Sequence, residues 1–205
     1  MKIYLVRHGQ TEGNIALRLQ SDNADLTEKG RKQAEVAATI LAEQKPTHLI
    51  SSTMLRALET AEVIGEACSL IPETNGLFVE VGRPNTMIGQ RLTNLPAFWF
   101  YTKWYFGLTK KEEGSESYEE VRKRIKEATM YLETFPADAR VVVVAHSVFI
   151  MFFVAHMCDE RPLGPLRALR LLYRIYRLKN GSITPVSYTP TPQNGTCPFQ
   201  VEKLT

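Results

Sequence analysis

An arginine, a histidine and a glycine stand together at Arg7, His8 and Gly9, directly after the apolar run of residues 2–6. Neutral imidazole is a competent nucleophile near neutral pH, and neighbouring guanidinium charge both binds a phosphoryl group and opposes protonation of the ring. Glycine lets the backbone turn close to a ligand. On three residues alone, a surface histidine after an edge strand reads equally well, because so short a motif arises easily. His146 follows the run of residues 141–145 in the same way, whereas His48 and His156 read as packed or surface residues. No H-x-x-x-H or Cys-x-x-Cys spacing occurs, so the sequence implies no metal site and no cofactor.

The elements that must position these residues are legible from periodicity. Strand-like runs cover residues 2–6, 48–51, 141–145 and 171–178, with helical periodicity between them. One helix starts at a capping Thr27 and carries Ala34, Ala37, Ala38 and Leu41 on one face, which should pack on the sheet. A second, over about residues 54–67, follows Ser51-Ser52-Thr53 as its source of an N-cap, and a third carries Tyr118, Val121, Ile125, Ala128 and Leu132 after a Ser-Glu-Ser. Lys179-Asn180-Gly181-Ser182 reads as a hairpin turn joining two antiparallel strands. The alternation predicts an α/β three-layer sandwich, a mostly parallel central sheet flanked by helices, with ligands gathered at the carboxyl ends of the strands. Residues 1–188 form the expected single domain, interrupted by a helical aromatic-rich insertion at about 84–112, and residues 189–205 read as a loosely held Pro-rich tail.

A chain of 205 residues buries a substantial core as one domain, and a net charge of +3 without a run of Lys and Arg argues against nucleic-acid binding. Cys68, Cys158 and Cys197 are an odd number in no zinc-like spacing, which suits a reduced compartment, so a cytoplasmic location is expected. Only four apolar residues separate Lys2 from Arg7, which is too few for a secretory signal. Residues 141–158 carry His146, Ser147 and His156, and read better as a buried strand followed by a short apolar helix than as a membrane span.

Three blocks resemble the histidine phosphatase superfamily, also called phosphoglycerate mutase-like. They are Leu5-Val6-Arg7-His8-Gly9-Gln10-Thr11-Glu12-Gly13-Asn14, the run Ser51 to Ala61 containing Arg56-Ala57, and Val144-Ala145-His146. The resemblance implies that His8 carries a phosphohistidine, with Arg7, Arg56 and His146 around the transferred phosphoryl oxygens. It also implies that Thr11 and Asn14 hydrogen-bond the phosphate and that Glu80 protonates the leaving oxygen, with Glu73 the spare candidate. The helix beginning at Ser147 would aim free N–H groups at the phosphate. Many members continue with Gly-x-Trp-Glu-Gly where this chain has Gly82-Arg83-Pro84-Asn85, so the substrate-side loop departs from the family's pattern.

What the resemblance implies is a phosphatase acting on a small phosphorylated substrate; a phosphoglycerate mutase-type phosphotransferase and a non-catalytic phospho-ligand binding module are the alternatives. The family's mutases are usually longer, which favours the hydrolase. The segment from Phe98 to Phe106 packs seven aromatics into nine residues. It reads as a packed helical insertion, a lid over the leaving group, a homodimer contact or a membrane-surface patch.

Overall fold

A computed structural model of the chain describes residues 1–91, 95–159, 161–190 and 196–202, the side chains of residues 95–98 excepted. In chain order the regular elements are β1 (Lys2–Arg7), α1 (Glu12–Ile15), α2 (Glu28–Glu43), β2 (His48–Ser51), α3 (Leu55–Cys68), β3 (Glu73–Thr74) and α4 (Leu95–Tyr105). They continue with α5 (Tyr118–Glu133), β4 (Arg140–Ala145), α6 (Ser147–His156), α7 (Pro165–Arg177), β5 (Ile183–Tyr188) and β6 (Phe199–Val201). Among the described residues the strands form one six-stranded sheet in the order β3-β2-β4-β1-β5-β6. Strands β3, β2, β4 and β1 are mutually parallel, while β5 and β6 add an antiparallel edge.

Period-two alternation divides the central strands between two cores. Ile3, Leu5, Val141, Val143 and Ala145 pack with Val121, Ile125 and Leu132 of α5 and Phe149 and Phe153 of α6. Tyr4, Val6, Val142 and Val144 pack on the other side with Ala37, Ala38 and Leu41 of α2 and Ala57, Ala61 and Ile64 of α3. Burial on both faces is why β1 and β4 read as unbroken apolar runs, and it makes the expected helix–sheet–helix sandwich. Helix α5 opens with Ser117 as N-cap, in a capping box with Glu120. Among the described residues no helix is long and apolar enough to cross a membrane.

Several local expectations are corrected. The strand-like run at 171–178 belongs to helix α7, because Arg167, Arg170, Arg174 and Arg177 recur at helical steps and place one polar face along it. Asn180-Gly181 therefore joins a helix to β5 instead of closing a hairpin. Gly181 is needed there for its positive φ of 72°. The N-cap of α3 is Met54, without a side-chain cap. The C-terminal segment is tied down at Phe199–Val201, which pairs with β5 and buries Phe199; residues 191–195 and 203–205 lie outside the described residues.

The cysteine reading is corrected as well. Cys158 and Cys197 form a disulfide with Cα atoms 5.6 Å apart, leaving Cys68 free, so the expectation of a reduced compartment loses the support it drew from three separate thiols. In the aromatic segment, Trp104 is buried against Tyr118 and Phe152, while Trp99 and Phe106 are exposed; the side chain of Phe98 lies outside the described residues.

Candidate active site

His8 is the first residue beyond β1, and its N–H donates to Ala145 O at 3.0 Å, carrying the β1–β4 pairing past the strand end. Its Nδ1 lies 2.7 Å from Gly9 O. A carbonyl oxygen only accepts, so Nδ1 carries the proton and Nε2 keeps its lone pair. Burial first, then the charges of Arg56 and Arg7, hold the His8 pKa well below the ordinary imidazole value, against the opposing Gly9 hydrogen bond. The ring is thereby neutral at neutral pH and nucleophilic at Nε2.

The loop that carries it is held by backbone-to-backbone packing. A Cβ at Gly9 would come within 2.3 Å of Gly30 O, and one at Gly30 within 2.1 Å of Gln10 O. Gly9 is thus required by the close approach of α2. Asn180 closes the loop from the other side, donating to His8 O at 3.1 Å, Gly9 O at 3.3 Å and Asn14 Oδ1 at 3.0 Å.

Arg7 comes from the end of β1 and Arg56 from the first turn of α3, and both border one cavity with His8, Asn14, Glu80 and Ser147. Arg7 Nη1 donates to Leu178 O and Arg56 Nη1 to Ser21 O at 3.0 Å, which fixes both side chains. Their Nε atoms are buried with no hydrogen-bond partner. Burial lowers both arginine pKa values and Glu80 opposes it, yet guanidinium remains charged at any pH of interest. His146 sits wholly buried behind the cavity, its ring centroid 5.1 Å from that of His8. Its Nε2 lies 2.8 Å from Ser52 Oγ and its Nδ1 has no partner. Buried polar atoms without a partner are uncommon, and Arg7 and Arg56, which carry two of them, border one cavity with the neutral imidazole of His8.

Glu80 is buried and held at the N-terminus of α6. Its Oε1 accepts from Val81 N–H at 3.0 Å and Phe149 N–H at 2.9 Å, and its Oε2 from Val148 N–H at 3.3 Å. Of the N–H groups at the start of α6 that were expected to face phosphate, those of Val148 and Phe149 are thus engaged by the carboxylate. The loop bearing Glu80 is pinned by Arg124, which donates to Leu77 O and Val79 O at 2.9 Å and pairs with Glu116. Glu116 in turn accepts from Gly82 N–H at 2.8 Å. Glu73 lies on β3, exposed and bonded to Tyr131, so the spare acid candidate is set aside.

Thr11 occupies a different place from the one its motif suggests. It is fully buried as the N-cap of α1, where its hydroxyl lies against Asn14 and Gln20. Asn14 Oδ1 accepts from Thr11 N–H at 3.2 Å and from Asn180, which leaves the amide NH2 as the group available to the cavity. Arg83 was missed as a site residue. It borders the cavity and donates from Nε to Tyr101 Oη at 2.8 Å. Burial works against its charge, but Tyr101 and Glu80 outweigh burial and raise its pKa. The only signal in the sequence was its position three residues beyond Glu80. His156 bonds Tyr118 and the Asp159 carbonyl, and His48 bonds Thr47, both structural as expected. Among the described residues no cluster of three or more His, Cys, Asp or Glu side chains could hold a metal.

Residues 3–193 match the family model described as histidine phosphatase superfamily, branch 1. A probable phosphoglycerate mutase GpmB of Escherichia coli O1:K1 / APEC is 31% identical over 191 residues, covering 92% of this chain and 85% of the relative. A protein of the same name from Yersinia pestis (strain Pestoides F) is 30% identical over 198 residues, covering 94% and 87%. Among solved structures, a phosphoserine phosphatase mutant from Entamoeba histolytica in complex with phosphoserine matches at TM-score 0.76 and 21% identity, covering 98% of this chain and 95% of that one. A mycobacterial glucosyl-3-phosphoglycerate phosphatase complexed with VO3 matches at TM-score 0.73 and 24% identity, covering 98% and 96%. At those identities the two structures establish the fold.

Proposed function

Because the chain belongs to the histidine phosphatase superfamily, we propose that it hydrolyses phosphate monoesters through a phosphohistidine on His8. The observation that carries this reading is a buried, neutral imidazole whose proton is fixed on Nδ1 by Gly9 O, beside Arg7 and Arg56 with unsatisfied Nε donors. Phosphoryl transfer needs positioning and charge stabilisation above all, and two fixed guanidinium groups supply both. They stand where a metal ion would act, so the proposed reaction uses none.

Nε2 of His8 attacks phosphorus in line, and the bond from phosphorus to the alcohol oxygen breaks. Glu80 takes up the proton of the bound ester monoanion and passes it to the leaving oxygen. Oε2 is the better placed donor, because Oε1 already accepts two backbone N–H groups while Oε2 accepts one at 3.3 Å. Water then attacks the phosphohistidine and gives a proton to Glu80, the bond from phosphorus to Nε2 breaks with its electron pair returning to the ring, and free phosphate leaves. With the Ser52 hydroxyl donating to His146 Nε2 at 2.8 Å, His146 Nδ1 is the donor for a phosphoryl oxygen. Asn14 adds a neutral donor.

A mutase-type transfer is the second reading. The names of the 30% and 31% identical relatives favour it, as does Arg83 bordering the cavity where a substrate carboxylate could bind. A panel of phosphate monoesters assayed with chelator-treated enzyme separates the two. Phosphate released from several esters, and lost in His8→Ala, is the expected result. Isomerisation of phosphoglycerate without release of phosphate would replace the hydrolase reading by the mutase one.

A further inference from the structure

The cavity that begins at the phosphate pocket continues well beyond it. Its volume is about 760 Å³, far more than a phosphoryl group fills, and it runs on between α4 and α7. Phe100 and Tyr105 of α4, Phe152 of α6, and Leu169, Leu172 and Tyr176 of α7 line that extension. The charged groups on its border, Arg7, Arg56, Arg83 and Glu80 among them, lie with His8 in the phosphate pocket and on the loop beside it. One end of the cavity is therefore built for an anion and the other for hydrocarbon.

Helix α7 makes this division explicit. At 3.6 residues per turn, Arg167, Arg170, Arg174 and Arg177 share one face, and Leu169, Leu172 and Tyr176 share the opposite one. Leu171, on the flank between them, is buried and anchors the helix to the core. The apolar face is not used in that anchoring, since Leu169 is 65% exposed, Leu172 56% and Tyr176 76%. Large apolar side chains bordering a concave cavity and left uncovered by the protein's own fold mark a place where a ligand covers them.

We propose that the substrate is a phosphate monoester of a long apolar alcohol, with its phosphate at His8 and its alkyl or prenyl chain laid along the groove between α4 and α7. This inference rests on the phosphate site proposed above and specifies the leaving group. A chain covalently joined to a phosphate at His8 must leave the pocket through the same cavity, and the groove is the apolar part of that cavity. A second copy of the protein or a lipid surface would cover the outer face of α7 without needing this continuity.

Binding of n-alkylphosphonates, from methyl to dodecyl and below their micelle concentrations, tests the groove by calorimetry without requiring turnover. Hydrolysis of the matching n-alkyl phosphates tests the chemistry at nearly constant leaving-group basicity. Affinity and kcat/KM should both rise by about two- to fourfold per methylene until the groove is full, the scale expected when a methylene leaves water. Leu172→Asp, at an exposed position, should flatten both series. Val36→Asp, on the exposed side of α2 away from the groove, should leave both slopes as in the wild type. A flat wild-type series overturns the inference, and continued hydrolysis of the short esters would then leave the phosphatase reading standing. Rising phosphonate affinity with no hydrolysis of any ester would keep the groove and sink the phosphatase. A flat series together with a dimer that Leu169→Asp dissociates, or with binding to phosphatidylcholine vesicles, would give the α7 face to those occupants and overturn the inference.

Discussion

Glu80→Gln separates the proposed proton donation from support of the pocket, because the substitution removes the two unequally. Glutamine keeps the size and one acceptor oxygen, which can stay on the Val81 and Phe149 N–H groups at 3.0 and 2.9 Å. Its NH2 then faces Val148 N–H, which loses its acceptor at 3.3 Å. A lost hydrogen bond to a charged group costs about 1.5–3 kcal/mol, and loss of the negative charge at the start of α6 about 0.3–1 kcal/mol. The sum, about 2–4 kcal/mol, is less than the roughly 5–15 kcal/mol of a typical domain, so the variant should fold. Turnover of esters with poor alkoxide leaving groups should fall by about 10²–10⁴-fold, the scale of general acid catalysis. Nitrophenyl phosphate should suffer much less, since its leaving group departs without a proton. Vanadate affinity should not weaken, because the carboxylate that is removed repels an anion. The assay is a leaving-group series of monoesters on both enzymes, with phosphoryl transfer to His8 limiting the rate. Parallel slopes for the two enzymes would refute Glu80 as the acid, and a uniform loss with weaker vanadate binding would make it a support of the pocket.

Arg56→Ala should weaken competitive inhibition by phosphate or vanadate by about 10- to 150-fold, the equivalent of one charged hydrogen bond at about 1.5–3 kcal/mol; unchanged inhibition constants would remove Arg56 from the anion site. Arg124→Met releases Leu77 and Val79 carbonyls and breaks the pair with Glu116, so kcat for alkyl phosphates should fall while vanadate affinity holds; rescue by Arg124→Lys should be partial because lysine has no fork. Burial lowers the pKa of His8 and of His146, so the folded chain refuses protons that the unfolded chain accepts below about pH 6.5. Stability is therefore lost as pH falls. Urea unfolding should weaken by up to about 1.4 kcal/mol per pH unit for each histidine below that value, and a midpoint independent of pH between about 7 and 5 would contradict the buried, neutral assignment.

The parts of the site that were legible in the sequence are those that a strand end or a helix start places by itself. His8 follows β1, His146 follows β4 and Arg56 lies in the first turn of α3 after β2, so the three converge once β1 and β2 each pair in parallel with β4. Glu80 was legible through resemblance, and the structure adds what its loop position alone does not carry, the three N–H donors that orient its carboxyl. Thr11 was misplaced because a hydroxyl that caps a helix and one that binds phosphate look alike in a motif. Asn180 and Arg124 were invisible as site residues since their partners are distant in sequence, His8 lying 172 positions from Asn180. The pairing of Cys158 with Cys197 had no local signature either, at a separation of 39 residues. Residues 171–178 resemble a strand because leucine, isoleucine and tyrosine fill them, whereas the arginine period from Arg167 to Arg177 is the better guide to the helix they belong to.

The proposed phosphohistidine is tested most directly at its bonded nitrogen. Enzyme mixed rapidly with a phosphate monoester, quenched in base and digested should yield a phosphorylated peptide containing His8, stable to base and labile to acid. Because Nδ1 is committed to Gly9 O at 2.7 Å, the phosphoryl group should be on Nε2, which phosphorus NMR of the trapped protein distinguishes from the Nδ1 isomer. A phosphoryl group that survives acid and is lost in base, one mapped to another residue, or turnover that persists in His8→Ala would contradict the account.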